Sequence, residues 1–424
     1  MAQVLRLRSL RCVCHILVLG PVHLLKPVRR SLGPGLGHRL THHERAVVPV
    51  YELVERLRTL LKHIERTPAE KKRIMDIMRS RPEGVVLRLS LDNSNKWDAT
   101  EKMLVYALRA QTALLEYLRA FGNEVPEGGV LSGSDFQLLR EVDGVLRPLC
   151  NCVHILETDE FKGSSVLPWC SVLMEELEPQ EGVELRRMGD HQVLDLVPAG
   201  QLSAPAKDFR RALRAELVIV LRHLDDSREE LLMASALDPR WRGMAWADEG
   251  EREAVSRRLV REAVAQVRAG PQRNQAAAEG SEIPGRSRLR RAGMSRLLER
   301  AGRRAGGAAV GAAAEDLAGE VTRAVKEWMD SPQTPHDESP LDWWAQALEK
   351  EVVSASVRLL APLARRYLAI PGSNGRIERL WSDGKRVLTA LRTSLGPDRV
   401  SMLLRLKANM ELVGMWPPQA LALP

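Results

Sequence analysis

Five cysteines, ten histidines and one arginine-dense run are the features of this 424-residue chain whose types and spacing could do chemistry. Cys12-Val13-Cys14-His15 brings thiols and an imidazole together, the ligand set that zinc takes. A closed zinc site needs a second ligand pair. The sequence has no Cys-x-x-Cys, and so no His pair that follows one at finger spacing. No metal is expected, and Cys12 and His15 read as buried structural residues. Cys150 and Cys152 alternate without ligand spacing and read as buried free thiols. An odd number of cysteines without an even framework fits a reducing compartment. Walker, Gly-x-Ser-x-Gly and His-Glu-x-x-His patterns are absent from the sequence, so no cofactor and no small-molecule substrate are expected.

The arginine run lies between Arg286 and Arg304, where eight Arg face one Glu. Arg286, Arg288, Arg290, Arg291, Arg303 and Arg304 are candidates for phosphate contacts, and DNA is the candidate partner. The surrounding residues 268–315 are rich in Gly and Ala and poor in large apolar side chains, so a solvated linker is the plainer reading. A net charge of +8 and a pI near 9.4 are compatible with either reading.

The elements that must carry these residues are mostly helical. Val54, Leu57, Leu60, Leu61 and Ile64 form one helix face within 47–80, and Thr67-Pro68-Ala69-Glu70 reads as a capping box that opens the next helix. Leu87, Leu89 and Leu91 alternate with polar residues over 84–91, a strand signal. Helical patterns cover 101–121, a helix opened by Ser134 and Gln137, a helix from Pro168, and one over 207–235. Asp238-Pro239 stops the last of these, and Trp241 is expected under the turn. No run reaches the roughly eighteen apolar residues of a membrane span, so no membrane partner is expected. Residues 1–43 contain no acid, and Cys12–Leu25 is apolar; this segment admits a targeting reading.

The last block, Leu341 to Leu412, reads as three amphipathic helices. The first ends at Pro371-Gly372. The second carries Ile377, Leu380, Trp381, Gly384, Val387, Leu388 and Leu391 as one stripe. The third opens at Gly396-Pro397-Asp398 and buries Val400, Leu403, Leu404, Leu406 and Met410. Adjacent Trp343 and Trp344 point about 100° apart on a helix, so one is expected on the chain's own core and the other toward a partner.

This block resembles the C-terminal dimerisation region of hAT-family transposases and the BED-finger proteins derived from them. The resemblance rests on Pro340-Leu341-Asp342-Trp343-Trp344, on Leu363 to Pro371, on Glu378-Arg379-Leu380-Trp381-Ser382 and on Leu395-Gly396-Pro397. Family members usually read Ser-Glu-Arg-x-Phe-Ser; Ile377 and Trp381 replace the Ser and the Phe here. Upstream, Cys12 to Leu19 resembles the family's Cys-x-x-His-x-Leu-x-Leu motif. Asp92 to Leu104 resembles its Asp-x-x-x-Arg-Trp signature, and Leu231 to Trp241 its Leu-Leu-Asp-Pro-Arg-Phe motif. The resemblance implies a ribonuclease H-like core whose three acids hold two metals. Glu378 matches the third acid, while the eleven residues before Cys12 contain no Asp or Glu.

The expected fold is therefore mainly α: an incomplete ribonuclease H-like core with a large helical insertion and a C-terminal helical dimerisation region. The expected divisions are a basic segment at 1–43, a helical middle at 44–245, a largely disordered Arg/Ala/Gly-rich linker at 246–337 and the dimerisation region at 338–415. The expected function is a catalytically inactive, transposase-derived homodimer with a role in DNA binding or transcriptional regulation. A non-specific DNA-binding regulator using the Arg run is the alternative, and the missing acids weigh against an active transposase fragment. Expected dimerisation residues are Trp343, Trp344, Leu363, Tyr367, Ile377, Leu380, Trp381, Leu388, Leu403 and Leu404. Nuclear localisation follows from the resemblance, and mitochondrial localisation from the targeting reading.

Overall fold

A computed structural model describes residues 12–25, 42–81, 97–158, 161–187, 193–269, 309–373, 396, 398–399 and 401–403. Its helices begin with α1 (Val13–Leu25), α2 (His42–Arg66), α3 (Pro68–Ser80), α4 (Trp97–Arg109) and α5 (Gln111–Phe121). They continue with α6 (Gly133–Leu156), α7 (Val166–Glu176), α8 (Ala204–Leu221) and α9 (Arg228–Ala236). The last four are α10 (Glu249–Ala269), α11 (Ala309–Asp330), α12 (Pro340–Glu349) and α13 (Ala355–Tyr367). Between α7 and α8, β1 (Val183–Arg186) and β2 (Leu194–Val197) pair antiparallel, with Val183 opposite Val197 and Arg186 opposite Leu194. The protein is mainly α, as its sequence periodicity indicates. Among the described residues no helix is long and apolar enough to cross a membrane.

The core follows the heptad-like spacing of the helices. In α2, Val50, Leu53, Val54, Leu57, Leu60, Leu61 and Ile64 are all buried, an i, i+3, i+4, i+7 stripe. The apolar run after Cys12 becomes α1, which packs against α8 and buries Val13, Ile16 and Leu17. Cys12 and Cys14 are buried, whereas His15, expected to be buried, is exposed. All five cysteines are free and buried.

Local capping departs from the sequence pattern in two places. Thr67 is the N-cap of α3, but its side chain makes no capping bond. Glu70 turns inward instead, where Tyr117 Oη donates to it at 2.6 Å. That bond, before all other causes, holds the Glu70 carboxyl below its ordinary range. A buried phenol offers a stronger use for this carboxylate than an exposed amide does. The cap of α6 is Ser132 with Asp135, two residues earlier than Ser134 and Gln137. Arg56 fixes it there through a bidentate ion pair with Asp135, one arm 3.1 Å long.

The hairpin docks on α6 at Gly144. A Cβ there would lie 2.6 Å from Leu185 Cδ2 and 2.8 Å from the Glu184 carbonyl oxygen, so the strand can approach only a glycine. Buried Asp143 then pairs with Arg147 at 2.6 Å and with Arg186 at 3.1 Å, and Arg147 donates to Glu184 O at 2.9 Å. The expected strand over 84–91 and the positions Asp92 to Lys96 lie outside the described residues; Trp97 opens α4.

Residues 246–337, expected to be a largely disordered linker, contain α10 and α11 packed against each other. Val255, Leu259 and Ala263 on one side meet Val321, Ala324, Val325 and Trp328 on the other, all buried. Small and β-branched residues at helical spacing give these helices a narrow apolar seam that bulk composition conceals. The Arg run, Arg286 to Arg304, falls outside the described residues.

The Gly144 contact generates a prediction. Gly144→Val should destabilise the protein by about 1–3 kcal/mol through overpacking, read as a lower urea midpoint. An unchanged midpoint would show that the hairpin is not seated on α6.

Candidate dimerisation region

The C-terminal helices are held by the end of α9. A helix leaves its last carbonyls without intrahelical partners. Here two indoles take them: Trp328 Nε1 donates to Ala236 O at 2.7 Å, and Trp344 Nε1 donates to Leu237 O at 2.9 Å. Trp343 completes the group, with ring centroids 5.4 Å from Trp328 and 5.4 Å from Trp344. Trp328 and Trp344 are buried, and Trp343 is half-buried at the edge. Arg242 lies over Trp328 at 4.7 Å and over Trp343 at 5.5 Å, and donates to Pro332 O. Its burial lowers its proton affinity.

The next residues lock this arrangement. Asp238 is wholly buried. It accepts from Ser164 Oγ at 2.7 Å, from Arg240 Nη2 at 2.7 Å, and from Arg240 N and Nε at 3.0 Å. Arg240 also reaches Ser165 Oγ at 3.1 Å and His336 O at 3.3 Å. Trp241 Nε1 donates to Ser165 Oγ at 3.2 Å, and its ring lies 4.5 Å from that of His336. One carboxylate thus ties 164–165, 238–241 and 336 together. The chain then turns tightly, with buried Met244 at φ +47°, a left-handed conformation that a side chain adopts at some cost.

A third tie joins α13 to the body. Tyr367 is buried, donates to Glu262 at 2.9 and 3.0 Å, and accepts from Arg258 at 3.3 Å. Burial, then the neighbouring Glu262 charge, pushes the Tyr367 phenol up to about 12. Just beyond, Gly163 N donates to Ile370 O at 2.8 Å, and Gly372 N to Phe161 O at 3.3 Å. A Cβ on Gly163 would meet Ile370 Cγ2 at 2.6 Å.

The structure therefore places Trp344, Leu363 and Tyr367 inside the chain's own core, and Trp343 at its edge. Both adjacent indoles converge on Trp328 despite their separation around α12, because long side chains reach the same ring from two directions. The outward face of α12 belongs to other residues. Leu341, Ala345 and Leu348 lie in line at i, i+4 and i+7, with Val352 just past the helix end. Leu341 is 41%, Leu348 36% and Val352 85% exposed. The single helix expected from Leu341 to Pro371 is therefore two, α12 and α13, because the chain leaves helical geometry over 350–354, where Ser354 caps α13. Leu403 is 42% exposed, whereas Ile377, Glu378, Leu380, Trp381, Leu388 and Leu404 fall outside the described residues.

With this geometry in place, comparison with known families adds one finding. Residues 320–410 match the model of the hAT family C-terminal dimerisation region. That match takes in the end of α11, all of α12 and all of α13, and it supports a hAT relationship for this part of the chain. No curated protein matches the chain.

Two outcomes follow. Asp238→Ala leaves the Arg240 guanidinium buried without its carboxylate and should cost about 3–5 kcal/mol in urea unfolding; a loss under about 1 kcal/mol would contradict the locking role. Tyr367→Phe should cost about 1–2 kcal/mol near neutrality. A phenol whose folded value exceeds the ordinary value of about 10 stabilises fully below that pH and loses the contribution as pH rises toward 12. The parent should therefore lose stability more steeply than the Phe variant between about pH 10 and 12. Parallel curves would refute the buried-phenol account.

Proposed function

We propose that this protein is a transposase-derived homodimer, assembled through the region matched to the hAT dimerisation model, and that it does not cut DNA. The single observation that carries dimerisation is the outward apolar line of α12, Leu341, Ala345, Leu348 and Val352, within the matched residues. The Trp cluster anchors α12 from behind, so this face is presented rigidly, and apolar area left exposed on a fixed helix marks an interface.

The remaining parts of the reading rest on sequence. Glu378 matches the third catalytic acid of the family, and two metals need further carboxylates beside it. A ribonuclease H-like origin for the helical middle is part of the proposal, as is nuclear residence. The packing of α1 into the core supports reading residues 12–25 as part of the fold rather than as a removable leader. A second reading, DNA binding and transcriptional regulation through the Arg run, is favoured by the eight Arg between Arg286 and Arg304.

Light scattering tests the dimer. The parent should exceed the 47.4 kDa chain mass about twofold at tens of micromolar. Leu348→Asp with Val352→Asp should return it to monomer with an unchanged circular-dichroism spectrum, since both side chains are exposed. A monomeric parent would end the proposal.

A further inference from the structure

The outward line of Leu341, Ala345, Leu348 and Val352 is flanked by acid, Asp342 on α12 and Glu351 just past its end. A complementary surface exists elsewhere on the same chain. Between α10 and α11 runs an open groove of about 690 Å³, floored by Val260, Val264, Ala265 and Ala318. Arg257, Arg261 and Arg268 line it, spaced i, i+4 and i+11 along α10, and all three are exposed. Arg257 makes one exposed pair with Glu253 at 3.1 Å, which is worth little. Arg261 and Arg268 have no ion pair among the described residues.

Three of the described acids near the groove are directed elsewhere. Glu262 is engaged by Arg258, Arg366 and Tyr367 on the α13 side. Asp316 and Glu320 stand two residues either side of Ala318, about 200° around α11 and so on its far face.

Resting on the dimer reading above, we propose that α12 of one protomer lies in the α10/α11 groove of its partner, and reciprocally. Each surface answers the other in both respects: an apolar line against an apolar floor, and carboxylates against arginines. The chain's own α12 is anchored at Trp328, ten residues along α11 from Ala318, about 15 Å away. It cannot fill its own groove. Two different patches on one chain that fit each other close into a pair when a two-fold axis exchanges them.

Other occupants fit less well. The stretch 270–308 that joins α10 to α11 carries nine Arg against three Glu, so the arginines of the groove repel it. A nucleic-acid duplex would leave the apolar floor bare, and the groove has no aromatic ring for stacking a single strand. A small ligand would stay partly wet in so open a site.

A charge-reversal cycle on the full chain, read as mass by sedimentation equilibrium in the ultracentrifuge, tests the pairing. Arg261→Glu with Arg268→Glu should weaken the dimer at least about tenfold, and so should Asp342→Arg with Glu351→Arg. Combining the four should restore it to within about threefold of the parent, because the attraction returns with its sign exchanged. If the parent is a monomer, dimerisation itself fails. If the parent is a dimer and the Arg reversals leave it unchanged, the dimer stands and this pairing is overturned. If the four together fail to recover what each pair loses, the two surfaces do not meet and the pairing is again overturned. If the Arg reversals abolish binding of a duplex DNA probe while the dimer persists, the groove serves nucleic acid instead.

Discussion

The last carbonyls of α9 are the constraint on which the C-terminal half depends. Ala236 O and Leu237 O face inward, where water cannot satisfy them, and an unpaired buried carbonyl costs about 1–3 kcal/mol. Trp328 and Trp344 supply the missing donors from two different helices. The bonds fix where α11 ends and where α12 begins. The Asp238 carboxylate then secures the turn that follows, so donors and acceptors from three stretches of chain are satisfied in one small volume. A fully satisfied buried network of this kind specifies one arrangement, because any shift strands a charge.

This anchoring leaves α12 with one face held and one face outward. Its inner face is spent on the indole cluster, and its outer face stays apolar, with acid beside it. The same division appears on α10. Its inner face packs against α11 and its Glu262 is tied to α13, while Arg257, Arg261 and Arg268 point outward. Rigid presentation lowers the ordering cost of association, which is where much of the binding free energy of flexible segments is lost.

Much of the fold was legible because helical periodicity with large apolar residues is unambiguous in α2, α6 and α13. The Asp238-Pro239 stop was also legible, and Trp241 does lie by the turn, bonded to Ser165. Three features were hidden for physical reasons. The strands β1 and β2 have four residues each, too short for alternation to stand out. The helices α10 and α11 carry their seam mostly in Val and Ala with one Leu and one Trp, so average composition reads as linker. The convergence of Trp343 and Trp344 depends on Trp328, fifteen residues earlier, and a helical wheel of α12 alone cannot supply it. The exposed line of α12 was readable from spacing, but only burial separates an outward Leu348 from an inward Ala347.

The central claim is that the Trp anchor is internal to one chain while the outer faces of α12 and α10 meet a second copy. Amide hydrogen exchange at rising protein concentration separates the two. Protection at 236–242 should be the same from nanomolar to tens of micromolar, whereas 341–352 and 257–268 should gain protection together as dimer forms. Concentration-dependent protection at 236–242, or none at 341–352, would contradict the account.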